Sequence, residues 1–306
     1  MIRRLGGDLL RSRAGLAGLA LLLAVAGFVV LVPWLWGPDA DTIDFAVAKQ
    51  PPSGAHPLGT DFFGRDLLAR VAAGGRESLG ISCAALAIVL AFGFLYGAAA
   101  ALLPPRLDAV LMRLVDALLA VPRLPVIVIV LVLFGLNTSA FTVVVALSVG
   151  GWMIPARLVR LELVALRQRP FVVAARSVGV GPLRLVRLHL LPNTLGVLLV
   201  AAFLELPTLV LSEAFASALG LGVNPPTPTW GNIAYDGLDE ARAWQVFLPS
   251  VAIAVFTIAA NLVADGIQES LTPGGTTWRG RSGPGTGVER AVRALFGRPR
   301  RPAEAG

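Results

Sequence analysis

The sequence predicts an all-α integral membrane protein with six transmembrane helices. Three observations predict it. Hydrophobic residues make up 56% of the chain and charged ones only 15%, outside the usual composition of soluble domains. Several windows run almost without charge for about 20 residues, enough to cross a hydrocarbon core of about 30 Å. The basic residues, nearly all arginine, flank those windows. That placement suits membrane orientation and anionic lipid rather than a nucleic-acid surface.

The elements follow in order. Residues 1–13 form a short N-terminus ahead of the first window, 14–36. That window has no small-residue cleavage site and ends in Val-Pro-Trp-Leu-Trp, an interfacial aromatic belt, so it reads as a retained signal-anchor helix. Further spans are expected at about 78–103, 109–135, 139–162, 194–216 and 246–267. The third is longer than a bilayer needs. Its start, RLDAVLMRLVDALLA, carries polar residues at helical spacing and suits the interface, and Pro122 and Pro125 predict a kink. The other spans are expected unbroken, with no midplane broken helix and no inverted repeat. The transmembrane portion runs from 14 to 272. The remainder, 273–306, is rich in Gly, Pro and Arg, is expected to be disordered, and has a possible short helix at Glu289–Phe296.

Arginine placement sets the sidedness. Arg3, Arg4, Arg11 and Arg13 precede the first span, Arg106 and Arg113 border the second turn, Arg157 to Arg187 surround the fourth, and another group runs from Arg279 to Arg301. The positive-inside rule puts both termini in the cytoplasm, with long outer loops at about 37–77 and 217–245 and a cytoplasmic loop at about 163–193.

Several chemistries are excluded. A phosphate-cradling P-loop needs a lysine after its glycines. The only lysine, Lys49, has no glycine-rich loop before it, so no Walker-type ATP hydrolysis is expected here. His56 and His189 fall on opposite sides of the membrane and cannot share a metal, and no GxSxG elbow appears. The lone Cys83 reads as a small buried hydrophobe without a disulfide partner. No catalytic set, metal site or bound cofactor is expected.

Within the cytoplasmic loop, FVVAARSVGVGPLRLVRLHLLPN runs from Phe171 to Asn193. Phe171 to Val178 suits a short helix after Pro170, which Gly179 ends in the left-handed conformation. Gly181-Pro182 then opens a second helix, Leu183 to Leu190. Ala174 and Ala175 allow close approach of a partner, while Arg176, Arg184 and Arg187 supply charge that fixes register. The pattern fits a docking surface for a soluble partner, or equally an amphipathic helix lying among headgroups.

On the outer side, Asp61, Arg65 and Asp66 suit an ion-pair network that folds the first loop over the membrane. In the second, Gly220 and Gly222 permit tight turns, Pro225, Pro226 and Pro228 hold extended chain, and Trp230 suits an interfacial anchor. The loop could serve a docking partner or simply be a rigid cap. Inside the spans, Asp116, Arg123, Glu205, Glu213 and Asp265 are costly and hence notable. Asp116 lies three residues after Arg113 and can pair with it. Arg123 can snorkel or line a pathway. Glu205 precedes Pro207, where a bend would expose backbone to a cavity. Helix–helix hydrogen bonding and a role in translocation both remain open for each.

The segment from 171 to 193 resembles the "EAA loop" of binding-protein-dependent ABC importer permeases. Ala174, Ala175, Gly179, Leu191 and Pro192 match, while Val173 stands where the glutamate is usual. HPLGTDFFGRDLLARVAAGGRES from His56 to Ser78, and SEAFASALGLGVNPPTPTWGN from Ser212 to Asn232, are similar to two stretches of the peptide/nickel group, specifically its second ("C-type") subunit. Asn261–Pro273 resembles that group's ending, with Thr272 in place of aspartate. The resemblance spans about 56 to 273. It implies a type I ABC importer permease fold in the bacterial cytoplasmic membrane and a homologous permease partner. It also implies two ATPase domains holding ATP and Mg, bound at Ala174, Ala175, Arg176, Gly179, Gly181, Arg184, Arg187 and Pro192. A solute-binding protein would dock on the outer face at Asp61, Arg65, Asp66, Gly220, Gly222, Pro226 and Trp230, and Asp116, Arg123, Glu205 and Glu213 would lie along the pathway. The implied cargo is di- or oligopeptides, with nickel or another small solute as the alternative. An energy-independent channel or secondary transporter is the weaker rival.

Overall fold

The computed structural model describes residues 12–134, 139–240 and 242–271, apart from the side chains of 182, 183, 270 and 271. The expectations for residues 1–11, for the tail beyond 271 and for the helix at 289–296 lie outside the described residues. Those described fold into helices, and the only β pairing among them is an isolated bridge between Thr60 and Asp66.

Helix α1 (Arg13–Leu35) starts at Ser12, whose hydroxyl accepts the Gly15 N–H. A loop with one 3₁₀ turn, Phe45–Val47, leads to α2 (Leu67–Leu102). α2 begins well before the expected residue 78 because Asp66 is a good N-cap: its Oδ1 accepts the Ala69 N–H at 2.8 Å. The amphipathic α3 (Pro105–Leu119) and apolar α4 (Arg123–Leu133) follow, then α5 (Ala140–Gly151) and α6 (Met153–Leu166). α7 (Pro170–Ser177) and the short α8 (Pro182–Leu185) lead through a π turn, Val186–Leu190, into α9 (Leu191–Ala218). The chain closes with α10 (Trp230–Asp239) and α11 (Ala243–Leu271).

Four of these helices are long and apolar enough to span a membrane, and two bent pairs raise the number to six. The expected kink in the third span is a break: α3 and α4 meet at 85°. Pro122 disfavours helical backbone at Val121, and Pro125 removes a further N–H. The fourth span was expected whole but bends by 47° between α5 and α6. Pro155 supplies no N–H to the Gly151 carbonyl four residues back, and its ring crowds that position. Two of the candidate spans are therefore bent, so continuity of the spans is no argument against a secondary transporter.

Close helix contacts run through glycine. α2 packs on α6 and α1 on α11. A Cβ on Gly97 would meet the Ala156 carbonyl oxygen at 2.4 Å, and one on Gly18 would meet the Ala259 oxygen at 2.8 Å. The amphipathic α3 is fastened to α6 by two ion pairs. Arg160 grips Asp108 with Nε–Oδ1 at 3.0 Å and Nη2–Oδ2 at 2.5 Å, and Arg157 reaches Asp116. Asp116 thus pairs across helices rather than with Arg113 on its own, because α6 presents its arginines along α3's polar face. Cys83 also departs from expectation. It is exposed, since α2 buries Ile81, Ser82 and Ala85 on another face.

The glycine contacts can be tested by contrast. Gly97→Ala should force α2 and α6 apart and cost about 1–3 kcal/mol by overpacking. Gly80→Ala, where nothing lies within 4 Å, should be neutral or stabilise by about 0.5–1 kcal/mol. Thermal unfolding in detergent should separate the two, and equal midpoints would count against the packing role of Gly97.

Candidate functional site

Three places on the bundle gather the residues singled out above: the two ends and the middle.

At one end, α7 lies against the bundle and α8 turns back from it. α7 ends in a Schellman motif. Gly179 adopts φ +79°, its N–H donates to the Arg176 carbonyl at 3.0 Å, and the Val180 N–H donates to the Ala175 carbonyl at 3.1 Å. Space is not the constraint at Gly179, since nothing lies within 4 Å of a Cβ built there. The left-handed backbone itself selects glycine.

The alanine pair divides. Ala175 is buried with Val172, Leu163 and Leu185 in the core beneath, and only Ala174 faces out. Both were expected on the docking face. A helix of eight residues resting on a core must turn one of two adjacent positions inward. The outward set is Phe171, Val173, Ala174, Arg176 and Val178, with Val178 80% exposed, and Arg184, Arg187 and Leu188 continue it on the following turns.

The expected separate helix at 183–190 is instead the start of one rod running from Pro182 to Ala218. The π turn carries the helix past Pro192. The Leu191 N–H reaches back to the Val186 carbonyl, and Asn193 Nδ2 donates to the His189 carbonyl at 2.6 Å. Side chain and widened turn together absorb the missing proline donor.

At the opposite end, the loop after α1 is tightly ordered. Asp61 accepts the Phe63 and Arg65 N–H groups on Oδ1, each at 2.9 Å, and Arg65 Nε on Oδ2 at 2.6 Å. Arg70 approaches the same carboxylate at 3.5 Å. Asp66 does not join Arg65, contrary to the ion-pair network expected from sequence. Its two oxygens are taken by the α2 cap and by His56 Nδ1 at 2.8 Å. Gly59 and Gly64 adopt positive φ, and a Cβ on Gly64 would fall 1.8 Å from the Asp44 oxygen. Arg242 ties this loop to α11 through the Thr60 carbonyl at 2.8 Å. Asp236 on α10 lies 3.8 Å from Arg65, and partial burial raises its carboxyl above the ordinary aspartate range.

The second loop packs inward. Gly220, at φ +74°, ends α9, and Gly222 sits against Ser217 with no room for a Cβ. The Pro225–Pro226 peptide is cis. Trp230 is fully buried rather than interfacial. Gly75 on α2 leaves room for its ring, Gly74 for Ile233 and the Thr229 backbone beside it, and the Trp230 Nε1 donates to the Val71 carbonyl at 2.9 Å. Glu213 is also fully buried, accepting Ser78 Oγ at 2.9 Å and Ser217 Oγ at 2.8 Å. Ser78 Oγ in turn accepts the Trp230 N–H at 3.1 Å. Glu213 therefore joins α2, α9 and α10 in one buried network.

In the middle, Arg123 at the start of α4 and Glu205 in α9 form an ion pair, Nη1–Oε1 at 2.6 Å. Arg123 neither snorkels nor stands free, and Glu205 turns to that cation instead of an open cavity. The sequence offered each residue but not the pairing, because they sit on helices brought together only by the fold. Asp265 is exposed on α11, makes no ion pair among the described residues and stays unassigned.

The comparisons agree on one family. Residues 90–274 match the model for "Binding-protein-dependent transport system inner membrane component". The oligopeptide transport system permease protein OppC of Bacillus subtilis is 33% identical over 264 residues, 86% of each chain. The dipeptide transport system permease protein DppC of the same organism is 34% identical over 266 residues, covering 86% of this chain and 82% of that one. A putative peptide transport system permease protein of Brucella suis reaches 38% over 269 residues, 87% and 89% of the two chains. Among solved structures, an inward-facing MetNI methionine ABC transporter aligns with TM-score 0.51 at 22% identity, covering 66% of this chain and 96% of that chain, which supports the fold alone. With its six candidate spans and its family match, this chain belongs to the binding-protein-dependent transport system inner membrane components, the permeases of ABC importers.

Proposed function

We propose that this chain is one of two permease subunits of an ATP-driven peptide importer. A homologous permease completes the pathway, two ATPase domains dock on the end formed by α7 and the turns after it, and a solute-binding protein docks on the end formed by residues 37–66 and 219–242. ATP and Mg belong to the ATPase domains, and both termini lie in the cytoplasm. The observation that carries the reading is α7. It is an ordered, outward-facing helix with exposed Phe171, Val173, Arg176 and Val178, joined through a Schellman turn to the helix that continues to Ala218. Solvent alone gives no reason for so ordered an apolar and cationic surface, and a partner does. The peptide cargo is supported by the relatives, which carry oligopeptide and dipeptide names.

In this reading, closure of the ATPase domains moves α7, and Gly179 passes the motion to the rod through Pro182 and Arg184. Val173, 51% exposed, occupies the position where a glutamate is usual in the resemblance. Val173→Glu should be tolerated or slightly stabilising, since an acid in the first turn of α7 complements its dipole.

Two measurements test the proposal. Cysteines placed at Ser53 and Thr227 should react with an impermeant thiol reagent outside intact cells, and one at Ser177 should not; outside labelling at Ser177 would reverse the sidedness. In the reconstituted complex, Gly179→Val should cost about 1 kcal/mol locally and misaim the following turns. Binding of cargo-loaded protein should persist while uptake and stimulated ATP hydrolysis fall together. Wild-type coupling in that variant would leave α7 as an interfacial helix rather than a docking element.

A further inference from the structure

Four irregularities in the spans meet around one ion pair. α4 begins at Arg123, directly after the 85° break from α3. α5 ends at Gly151, directly before the 47° bend into α6. A Cβ on Gly151 would fall 2.8 Å from Arg123 Nη2 and 3.1 Å from Glu205 Oε1, and one on Gly150 would fall 3.0 Å from Arg123 Cγ. In α9, Pro207 lies two residues past Glu205 and withholds an N–H from the Phe203 carbonyl. Glu205 is nearly fully buried and Arg123 mostly so, and Arg123 Nε and Nη2 find no hydrogen-bond partner among the described residues.

An arrangement whose only purpose was stability would match the two inward-facing guanidinium donors with acceptors. Nor would it place the break before α4, the bend after α5 and Pro207 of α9 around one charge pair. A pair at such a junction suits parts that turn against each other: the charges hold the halves in register, and the breaks let each half pivot.

We propose that Arg123 and Glu205 form the joint of the permease, the contact through which a movement of α9 is passed to the broken spans α3–α4 and α5–α6. Both are positioning residues. Glu205 rides on the rod whose far end carries Arg184 and Arg187, and Arg123 heads the half-span α4. A shift or rotation of α9 drags the start of α4 through the charge pair, with Gly150 and Gly151 letting the guanidinium slide along α5. The inference rests on the importer reading above and goes beyond it by naming the element that links the docking end to the pathway.

The test uses the complete complex with its partner permease, ATPase domains and binding protein, in liposomes. Uptake and ATP hydrolysis are measured with and without cargo-loaded binding protein. In Arg123→Gln/Glu205→Gln both charges go and no lone buried charge remains, so assembly should survive. The joint predicts a fall of about tenfold in the stimulation ratio, within the range of site-to-site couplings, with uptake falling alongside. Arg123→Glu/Glu205→Arg keeps a pair and should recover most of the ratio. Gly151→Ala leaves both charges in place but crowds the guanidinium, and should lower the ratio as well. A neutral double variant that assembles with wild-type stimulation and uptake overturns the proposal. So does a loss of uptake that merely tracks the amount of assembled complex while the ratio per complex holds. Should neither double variant assemble, Gly151→Ala decides, and an unchanged ratio there overturns it. A wild-type complex that takes up no peptide counts against the peptide reading instead and leaves the stimulation ratio to judge the joint.

Discussion

Inside a bilayer there is no water to satisfy a carbonyl whose helical partner is missing. That constraint governs where this chain can place its prolines. Pro122, Pro155, Pro192 and Pro207 all fall within or beside the spans. At Pro192 the chain widens into a π turn and lends the Asn193 side chain to the freed backbone. At Pro155 and Pro122 it bends the helix instead, and the bends sit beside packed neighbours. The contacts of Gly93 and Gly97 and the central ion pair lie beside those breaks.

The ends obey a different economy. There the backbone can reach water, yet the loop from 37 to 66 is tied down by side-chain hydrogen bonds around Asp61 and Asp66. One carboxylate, Asp61, takes two backbone N–H groups and a guanidinium, while its neighbour Asp66 starts a helix and holds a histidine. Strongly charged groups held this rigidly keep their geometry when something binds. A flexible loop carrying the same residues would spend binding energy on ordering itself.

Much of this was legible from residues alone, where the governing chemistry is local. A glycine after a short helix with proline three residues later reads as a Schellman end and a new start, and Gly179 and Pro182 are that. Apolar windows and flanking arginines read as spans. Contacts between distant segments were not legible. Trp230 looks interfacial until one sees that Gly75 leaves its ring a slot. Ala175 looks like its neighbour Ala174 until the helix is set on its core. The Arg157–Asp116 and Arg123–Glu205 pairs join segments 41 and 82 residues apart, with a nearer candidate, Arg113, available to mislead. The bend at Trp152 was visible in Pro155, but an unbroken hydropathy window hid it.

The length of α2 has a mechanical meaning. Its 36 residues extend about 54 Å at 1.5 Å each, against a hydrocarbon core of about 30 Å. Even at a tilt of about 20°, roughly 20 Å of it must stand clear of the oily layer. The Asp61–Arg65–Arg70 cluster is built around one tip of this column, and its other half is clasped to α6 at Gly93 and Gly97. A straight strut of that length converts angle into distance: leaning it by about 5° displaces one tip by about 5 Å relative to the other. Whatever grips the loop wrapped around that tip therefore works with leverage, and the clasp at α6 is where that leverage is delivered.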